Sequence, residues 1–429
     1  MPATSLRQLS RIIPAILTMT GRVTMLGISR WTGKGGSYRT VQRFFHTAMP
    51  WPMMFWLLFR HHLLDPDDVY LLAGDECVVD KAGKHTHGLG RFFSSLYGKP
   101  IPSVAFFALS LVSTRQRRSY PMMVEQMMPA KKAKPKKKEK KRAKKRPVGR
   151  PKGSKNKDKT QVTLTPELTL IKTMVQKQLL LLNGLFSLTY LVLDGHFGNN
   201  NALQMARQTG LHLITKLRRD SALYFPYDGP YSGRGPHRKY GDKIDYDNIP
   251  DKYLQQTTVE DDIQTNIYQS QMLHKEFAQP LNVVIIVKIN LKTQARAHIV
   301  LCSSDLSLPF AQLIDYYGLR FQIEFNFRDA KQYWGLSDFM NVKETAVTNA
   351  ANLSLFMVNV AHCLLADFRQ HTPCFGVLDL KAHFRGCKYV DETLKLLVEK
   401  PEPILLARIY DRIATLGSVH ASRAAPYPP

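Results

Sequence analysis

Four side chains, Tyr317, Arg320, Glu324 and Lys331, are spaced three, seven and fourteen residues from the first within the stretch from Ile314 to Lys331. Read as one helix at roughly 100° per residue, they fall within about 60° of one another on its surface. Ile314, Phe321 and Phe325 lie on one side of this stripe and Ile323, Phe327 and Ala330 on the other, so the charges run between two apolar flanks. A carboxylate placed between cations in such a position faces a cleft, because a buried charge needs a partner. The competing reading is a surface ion pair on an ordinary amphipathic helix. Two further acids weigh against that reading, since Asp75 and Asp194 each follow an apolar run, Val69 to Ala73 and Leu188 to Leu193, that reads as a buried strand. Carboxylates at strand ends are where α/β sheets present functional groups, although either one alone also suits a cap or a turn. Three carboxylates could hold two divalent metals about 3.5–4 Å apart for an in-line phosphoryl displacement, and Mg2+ suits that role.

The elements that must position these residues alternate strand and helix. Val104 to Val112 reads as another buried strand, with a polar Gly-containing turn at Asp80 to Gly88 and a strand through Phe92 to Tyr97 before it. Thr165 as cap and Pro166 in the first turn open an amphipathic helix to Leu182. A strand ending at Asp194, a helix from Asn200 to Thr209 and a strand from Leu211 to Thr215 follow, as in α/β domains. Residues 218–280 are polar and rich in Gly, Pro and Tyr, and two strand-like runs, Asn282 to Leu291 and Ala297 to Leu301, lead into the charged helix. The C-terminal part from Ala346 is helical and apolar, and its last ten residues are expected to be disordered.

The chain has 429 residues and a formal net charge of +26, which suggests several domains and a polyanionic partner. Lys131 to Lys159 holds 17 Lys and Arg against Glu139 and Asp158 and so supplies +15 of that charge. A block of like charge on this scale cannot fold by itself and reads as a solvated insert, placed at residues 120–160. In the first 62 residues, Gly-containing Ile28 to Gly36 followed by Ser37 and a short basic helix reads either as a helix-turn-helix, with Tyr38, Arg39, Gln42 and Arg43 toward DNA, or as a helical cap on the next domain. Apolar runs such as Trp51 to Phe59 are too short to span a bilayer, and Pro14 interrupts the apolar stretch after Arg7 and Arg11, so a soluble intracellular protein is expected. Five cysteines form no disulfide framework. Cys363, Cys374, His383 and Cys387 could be drawn as a zinc site, with Cys363 as a plain core residue the stronger reading.

The spacing of Tyr317, Arg320, Glu324 and Lys331 resembles the signature of bacterial insertion-sequence transposases of the Asp-Asp-Glu class, in the subgroup marked by Tyr, two residues, Arg, three residues, Glu, six residues, Lys. Leu191-Val-Leu-Asp-Gly-His-Phe197 is similar to that family's second-aspartate motif, and Ala73-Gly-Asp-Glu-Cys77 to its first. The resemblance covers most of residues 68–345. It implies an α/β, ribonuclease-H-like catalytic core over residues 63–217 and 301–345, a β-rich insertion over 218–300, and helical regions at 1–62 and 346–429. It also implies Asp75, Asp194 and Glu324 as catalytic ligands of Mg2+ or Mn2+, with Tyr317, Arg320, Lys331 and Arg328 on DNA phosphates. The chain departs from the family at Cys77, where a hydroxyl residue is usual, and Glu76 and Asp80 compete with Asp75 as first ligand. Within the basic insert, Lys145 to Ser154 resembles an AT-hook centred on Gly149, Arg150 and Pro151 and flanked by Lys152; the alternative is a plain polycation. The resemblance therefore implies a transposase of the bacterial cytoplasm and nucleoid. It would bind terminal inverted repeats, act on double-stranded DNA as a homodimer away from membranes, and join 3′ hydroxyls to target DNA. A nuclease of the same fold and a catalytically inactive DNA-binding descendant are the alternatives.

Overall fold

A computed structural model describes residues 2–33, 35–94, 97–129, 158–231, 233 and 235–420. The chain divides into two compact units, of which the first is Met1–Met127, Met174–Leu188 and Leu319–Pro429, and the second Met128–Thr173 and Thr189–Gly318.

The first unit opens with helices α1 (Ala3–Thr18), α2 (Met25–Trp31), α3 (Tyr38–His46) and α4 (Trp51–His62). Their starts follow the capping chemistry of the sequence: Thr24 Oγ1 accepts from Gly27 N (3.0 Å) and Ser37 Oγ from Thr40 N (3.4 Å), satisfying donors that a helix start leaves open. Pro14 lies inside α1, which runs on to Thr18, and its carbonyl accepts from Thr18 Oγ1 (2.9 Å). Between α2 and α3 the chain turns through Gly35 at φ +82°, a left-handed conformation that suits glycine, and Arg11 Nη1 of α1 donates to the Gly35 carbonyl (2.6 Å).

Next come β1 (Tyr70–Asp80), β2 (Gly90–Ser94), β3 (Lys99–Ser113) and β4 (Arg118–Met127). β3 is the centre, with β1 antiparallel along one edge and β2 and β4 sharing the other. It is buried without a break from Ser103 to Ser113, which is why its sequence is continuously apolar instead of alternating. β4 corrects the expected start of the basic insert at residue 120, since Ser119 to Val124 are buried in the sheet. The pairing of β4 with β3 shifts register between Leu109 and Ser110, opposite Pro121, a residue with no ladder donor. Asn359 Nδ2 donates to the Pro121 carbonyl (2.7 Å). Residues 130–157 of the insert lie outside the described residues, as do the final nine of the chain.

Helix α5 (Pro166–Leu182) begins where the capping pattern places it, with Thr165 Oγ1 accepting from Leu168 N (3.2 Å). The second unit then contains β5 (Tyr190–Leu193), α6 (Asn200–Gln208) and β6 (His212–Leu217), a parallel strand pair joined by a helix. The expected β-rich stretch consists of β7 (Leu223–Pro226), β8 (Tyr240–Lys243), β9 (Leu254–Glu260), β10 (Ile263–His274), β11 (Leu281–Asn290) and β12 (Arg296–Ser303). β12 returns antiparallel to β6, followed outward by β11 and β10, and β10 carries β9 and β7 on its far edge. Helix α7 (Phe310–Leu319) closes this part.

The first unit resumes with α8 (Gln322–Gln332), α9 (Glu344–His371), α10 (Val377–Leu394) and α11 (Pro403–Ala414). α9 is long and apolar enough to cross a membrane, but 61% of its apolar window is buried inside the protein, so it is a core helix. Phe356 of α9 packs on Trp51 and Phe55 of α4 with ring centroids 5.8 and 5.4 Å away. Each such buried ring contributes about 1.5–3 kcal/mol. One buried amide ties this core to α3 and α4: Asn349 Nδ2 donates to the carbonyls of Phe45 (2.8 Å) and Thr47 (2.7 Å), and its Oδ1 accepts from Trp51 Nε1 (2.7 Å). Asn349→Ala orphans all three groups, and chemical denaturation should show a loss of about 2–3 kcal/mol. A loss under about 0.5 kcal/mol would show that water replaces the amide.

Candidate active site

Asp75 does not end its strand. β1 continues to Asp80, and Asp75 sits mid-strand opposite Ala108 of β3. Strand side chains alternate, so Asp75 and Cys77 share one face while Glu76 and Asp80 point to the other and are exposed. The geometry thus separates Asp75 from the two neighbours that compete with it in the sequence. Asp75 Oδ1 accepts from Glu76 N (2.9 Å), and its Oδ2 forms an ion pair with Arg320 Nη1, the two side chains being 20% and 13% exposed. Burial pushes the Cys77 thiol up to about 11, so it is a neutral packing group at neutral pH, with Lys331 beside it.

The charged stretch is two helices and not one. α7 ends at Leu319, Arg320 and Phe321 form a turn, and α8 begins at Gln322. The turn is tight: Ile323 N donates to the Arg320 carbonyl and Glu324 N to the Phe321 carbonyl, each at 3.0 Å, with the i to i+3 spacing of a 3₁₀ turn. Gly318 weakens the end of α7, and the Arg320 side chain is drawn to Asp75. The surface angle for four residues on one rod therefore applies only within α8, where Glu324 and Lys331, seven apart, still share a face. The flanks also differ from expectation. Ile323, Phe327 and Ala330 are buried, whereas Phe321 and Phe325 are 49% and 38% exposed and Glu324 itself is exposed. Burial on one side only leaves the acid at an open surface and not in a closed cleft.

The two cations of the stripe bind β1. Lys331 Nζ donates to the Val78 carbonyl (2.9 Å), and Arg320 pairs with Asp75. They lie at opposite ends of α8 and act as two clamps that fix this helix on the strand, with Glu324 between them. Asn326 Nδ2, on the buried side, adds a bond to Ser119 Oγ of β4 (2.8 Å). Arg328 is exposed, hydrogen-bonds to Asp329 Oδ1 (3.0 Å) and lies over the Phe325 ring at 4.9 Å.

In the second unit, Asp194 directly follows β5, as expected, and leads into a 3₁₀ turn, Gly195–Phe197. Its carbonyl accepts from Thr215 Oγ1 (2.8 Å) and Phe197 N (2.9 Å), which fixes the backbone from which the carboxylate projects. Gly198 is needed beside it, because a Cβ there would stand 2.4 Å from the Lys216 carbonyl. The turn borders a cleft of about 590 Å³ lined by His196, Asn199, Arg218, Ser221 and His274, and burial lowers the basicity of His274. Sequence reasoning missed this cleft, because His274 comes from β10, far along the chain. Tyr317 is half-buried on α7, whose Tyr316 packs on Tyr190 of β5 at 5.5 Å.

On α3, Tyr38, Arg39, Gln42 and Arg43 are exposed while Val41, Phe44 and Phe45 are buried. Gly149, Arg150 and Lys152 lie outside the described residues. Of the residues drawn as a zinc site, Cys387 Sγ lies 3.7 Å from His383 Nε2, and among the described residues no group of three or more His, Cys, Asp or Glu is arranged to hold a metal ion. Burial pushes the Cys363 thiol up to about 11, in line with a packing role. For a hard divalent ion such as Mg2+ the carboxylate oxygens of Asp75 and Glu324 in the first unit, and of Asp194 in the second, are donors of suitable type. The donor set fits in type, and Asp75 already holds a positive partner in Arg320, which an arriving cation would share or displace.

Residues 1–280 match the family described as DDE superfamily endonuclease. The chain belongs to that family. The matched stretch includes Asp75 and Asp194 and ends before Tyr317, Arg320, Glu324 and Lys331. Among solved structures, the chain is similar to the piggyBac transposase in a synaptic complex with hairpin DNA, seen by cryo-electron microscopy, at 10% identity and a TM-score of 0.35. That similarity covers 80% of this chain and 57% of the other, so the chain spans little more than half the length of the structure it matches. No curated protein matches it.

The ion pair makes its own prediction. Arg320→Met removes the guanidinium from Asp75, which stays charged at a largely buried position, and urea unfolding should show a loss of about 1–3 kcal/mol, below the figure for a fully buried pair because both groups retain some solvent. Adding Asp75→Asn should recover most of that loss. Strict additivity of the two changes would mean that they do not interact.

Proposed function

We propose that this chain is a DNA transposase of the insertion-sequence type, with a ribonuclease-H-like core, that binds the terminal inverted repeats of its element, cleaves the ends and joins the 3′ hydroxyls to target DNA. The observation that carries the reading is the clamp of α8 on β1 in a chain of an endonuclease family: Arg320 and Lys331 hold Glu324 on the helix that Asp75 also grips. Asp75, Asp194 and Glu324 supply carboxylate oxygens to Mg2+ or Mn2+. Two such ions, when bound, supply Lewis acidity and nucleophile activation for an in-line displacement at phosphorus. Arg320, with five N–H donors, grips a phosphate oxygen while keeping Asp75, and Tyr317, Lys331 and Arg328 hold neighbouring phosphates. Arg39 and Arg43, exposed on α3 beside Tyr38, contact duplex DNA. Gly149, Arg150 and Lys152 in the basic insert enter a narrow A·T minor groove.

Synapsis of two ends requires at least a homodimer. The exposed apolar side chains Leu396, Leu397, Val398, Ile404 and Leu405, where α10 passes into α11, support a contact there. The setting we propose is the bacterial cytoplasm, at the nucleoid and away from membranes.

Glu324→Ala should leave binding to transposon ends nearly intact and abolish metal-dependent nicking; substantial residual nicking sinks the assignment. Wild-type protein given pre-cleaved ends and a target plasmid should yield joined product, and nicking without joining would make it a nuclease of the same fold. Deleting residues 131–159 should weaken DNA binding and flatten its salt dependence by roughly 0.9 in log–log slope for each phosphate no longer neutralised, with nicking of bound DNA spared. Loss of nicking on DNA that stays bound would place the insert in the active site.

A further inference from the structure

At its start β3 runs past its neighbours. β1 ends at Asp80 opposite Ser103 and β4 pairs no further than Ala105, so among the described residues Lys99 to Pro102 have β2 as their strand partner. Gly90–Ser94 and Lys99–Ser103 thus form a two-stranded ribbon that projects from the sheet. Side chains alternate across it, which places Arg91 and Phe93 on one face with Pro102 and Pro100 opposite them, and all four are exposed. Phe93 is 63% exposed and Tyr97, near the tip, 54%. Arg91 Nη2 donates to the Pro100 carbonyl (2.8 Å), which fixes the guanidinium on the ribbon with other N–H donors to spare. From Lys81 to Val124 the chain carries seven Lys and Arg and no Asp or Glu, and Lys84 in the loop before β2 and Lys99 at the start of β3 are both exposed. Asp80, opposite Ser103, and Glu344, 3.9 Å from His87, stand at the base of the ribbon.

We propose that this ribbon lies in the major groove of duplex DNA, with Phe93 against thymine methyl groups, Arg91 on base edges, and Lys84 and Lys99 on phosphates. The major groove is wide enough to admit a two-stranded β-ribbon, and an apolar ring there meets the C5-methyl that thymine alone presents. Charge selects DNA over a second copy of the chain, because an acid-free run of cations is repelled by its own duplicate and drawn to a polyanion. The backbone points the same way. Pro100 and Pro102 have no N–H, and their carbonyls are taken by Arg91 Nη2 and by Lys81 N (3.1 Å), so this edge of the ribbon has no donor for an added strand. What the ribbon does offer is side chains: an exposed ring between cations, which suits a groove with phosphate walls and an apolar group on its floor.

The inference rests on the reading that DNA is the partner, and its test is independent of cleavage. Full-length protein, without divalent metal, is titrated with a duplex rich in A·T pairs and with the same duplex carrying deoxyuridine in place of thymidine, which removes the methyl groups and keeps the pairing. The wild type should bind the thymine duplex about fourfold tighter for each methyl that Phe93 covers. Phe93→Ser should bind the two duplexes alike, and Phe93→Leu, which keeps an apolar side chain, should retain part of the preference. Lys99→Gln should keep the preference and flatten the log–log salt dependence by roughly 0.9, the share of one phosphate. A thymine preference that survives in Phe93→Ser overturns the proposal. So does a Phe93→Ser variant that loses self-association in the absence of DNA, because the ring then belongs to a contact between copies. A wild type that binds both duplexes equally removes the ribbon contact alone. One that binds neither removes the DNA reading with it.

Discussion

The contact on which the candidate site depends is the ion pair between Asp75 and Arg320. An acid in the middle of a largely buried strand is costly to place, by about 1–3 kcal/mol when its cationic partner is missing. The guanidinium meets that cost, and in doing so draws the start of α8 onto β1. Lys331, bound to the Val78 carbonyl, secures the other end. With two anchors along one helix, its rotation and its sliding are both fixed, so Glu324 is held at a set height above the sheet. The buried Ile323, Phe327 and Ala330 then fill the space beneath. A single anchor would leave the helix free to turn about it.

The same pair explains why the chain breaks into two helices. A straight rod from Phe310 to Gln332 would have to satisfy the packing of Leu313 and Leu319 and the reach of Arg320 to Asp75 with one axis. The tight turn at Arg320 and Phe321 separates these demands. It also brings Phe321 to the surface, where the one-helix reading would have buried it. The stripe and the exposed rings are two consequences of one local break.

Much of the architecture was legible because short-range chemistry decides it. Thr165 and Pro166 mark the start of α5, Ser37 that of α3, and the apolar run before Asp194 marks β5, each by an interaction with near neighbours in the chain. What the sequence hid depends on distant partners. β4, whose residues from 120 on were expected in a basic insert, is held by distant partners, among them Asn326 of α8, which donates to Ser119 Oγ. Asp75 looked like a strand end because it follows the apolar run Val69 to Ala73, whereas eleven β1 residues pair in register with β3, an arrangement no local pattern shows. The cations of the stripe could be counted, but that they bind β1 could not.

That distribution of cations bears on how DNA could be held. Around α8 the charges are close to balanced, with Arg320 on Asp75, Arg328 on Asp329, Lys331 on a carbonyl and Glu324 exposed. A near-neutral surface attracts a polyanion weakly. The positive excess lies elsewhere, +15 of it in residues 131–159 and more on α3. Separating affinity from the acids has a physical advantage: cations dense enough to capture DNA would, if placed among the carboxylates, pair with them and repel a divalent metal. At the strand only Arg320 and Lys331 of the stripe are placed, one engaged by the Asp75 carboxylate and the other by the Val78 carbonyl.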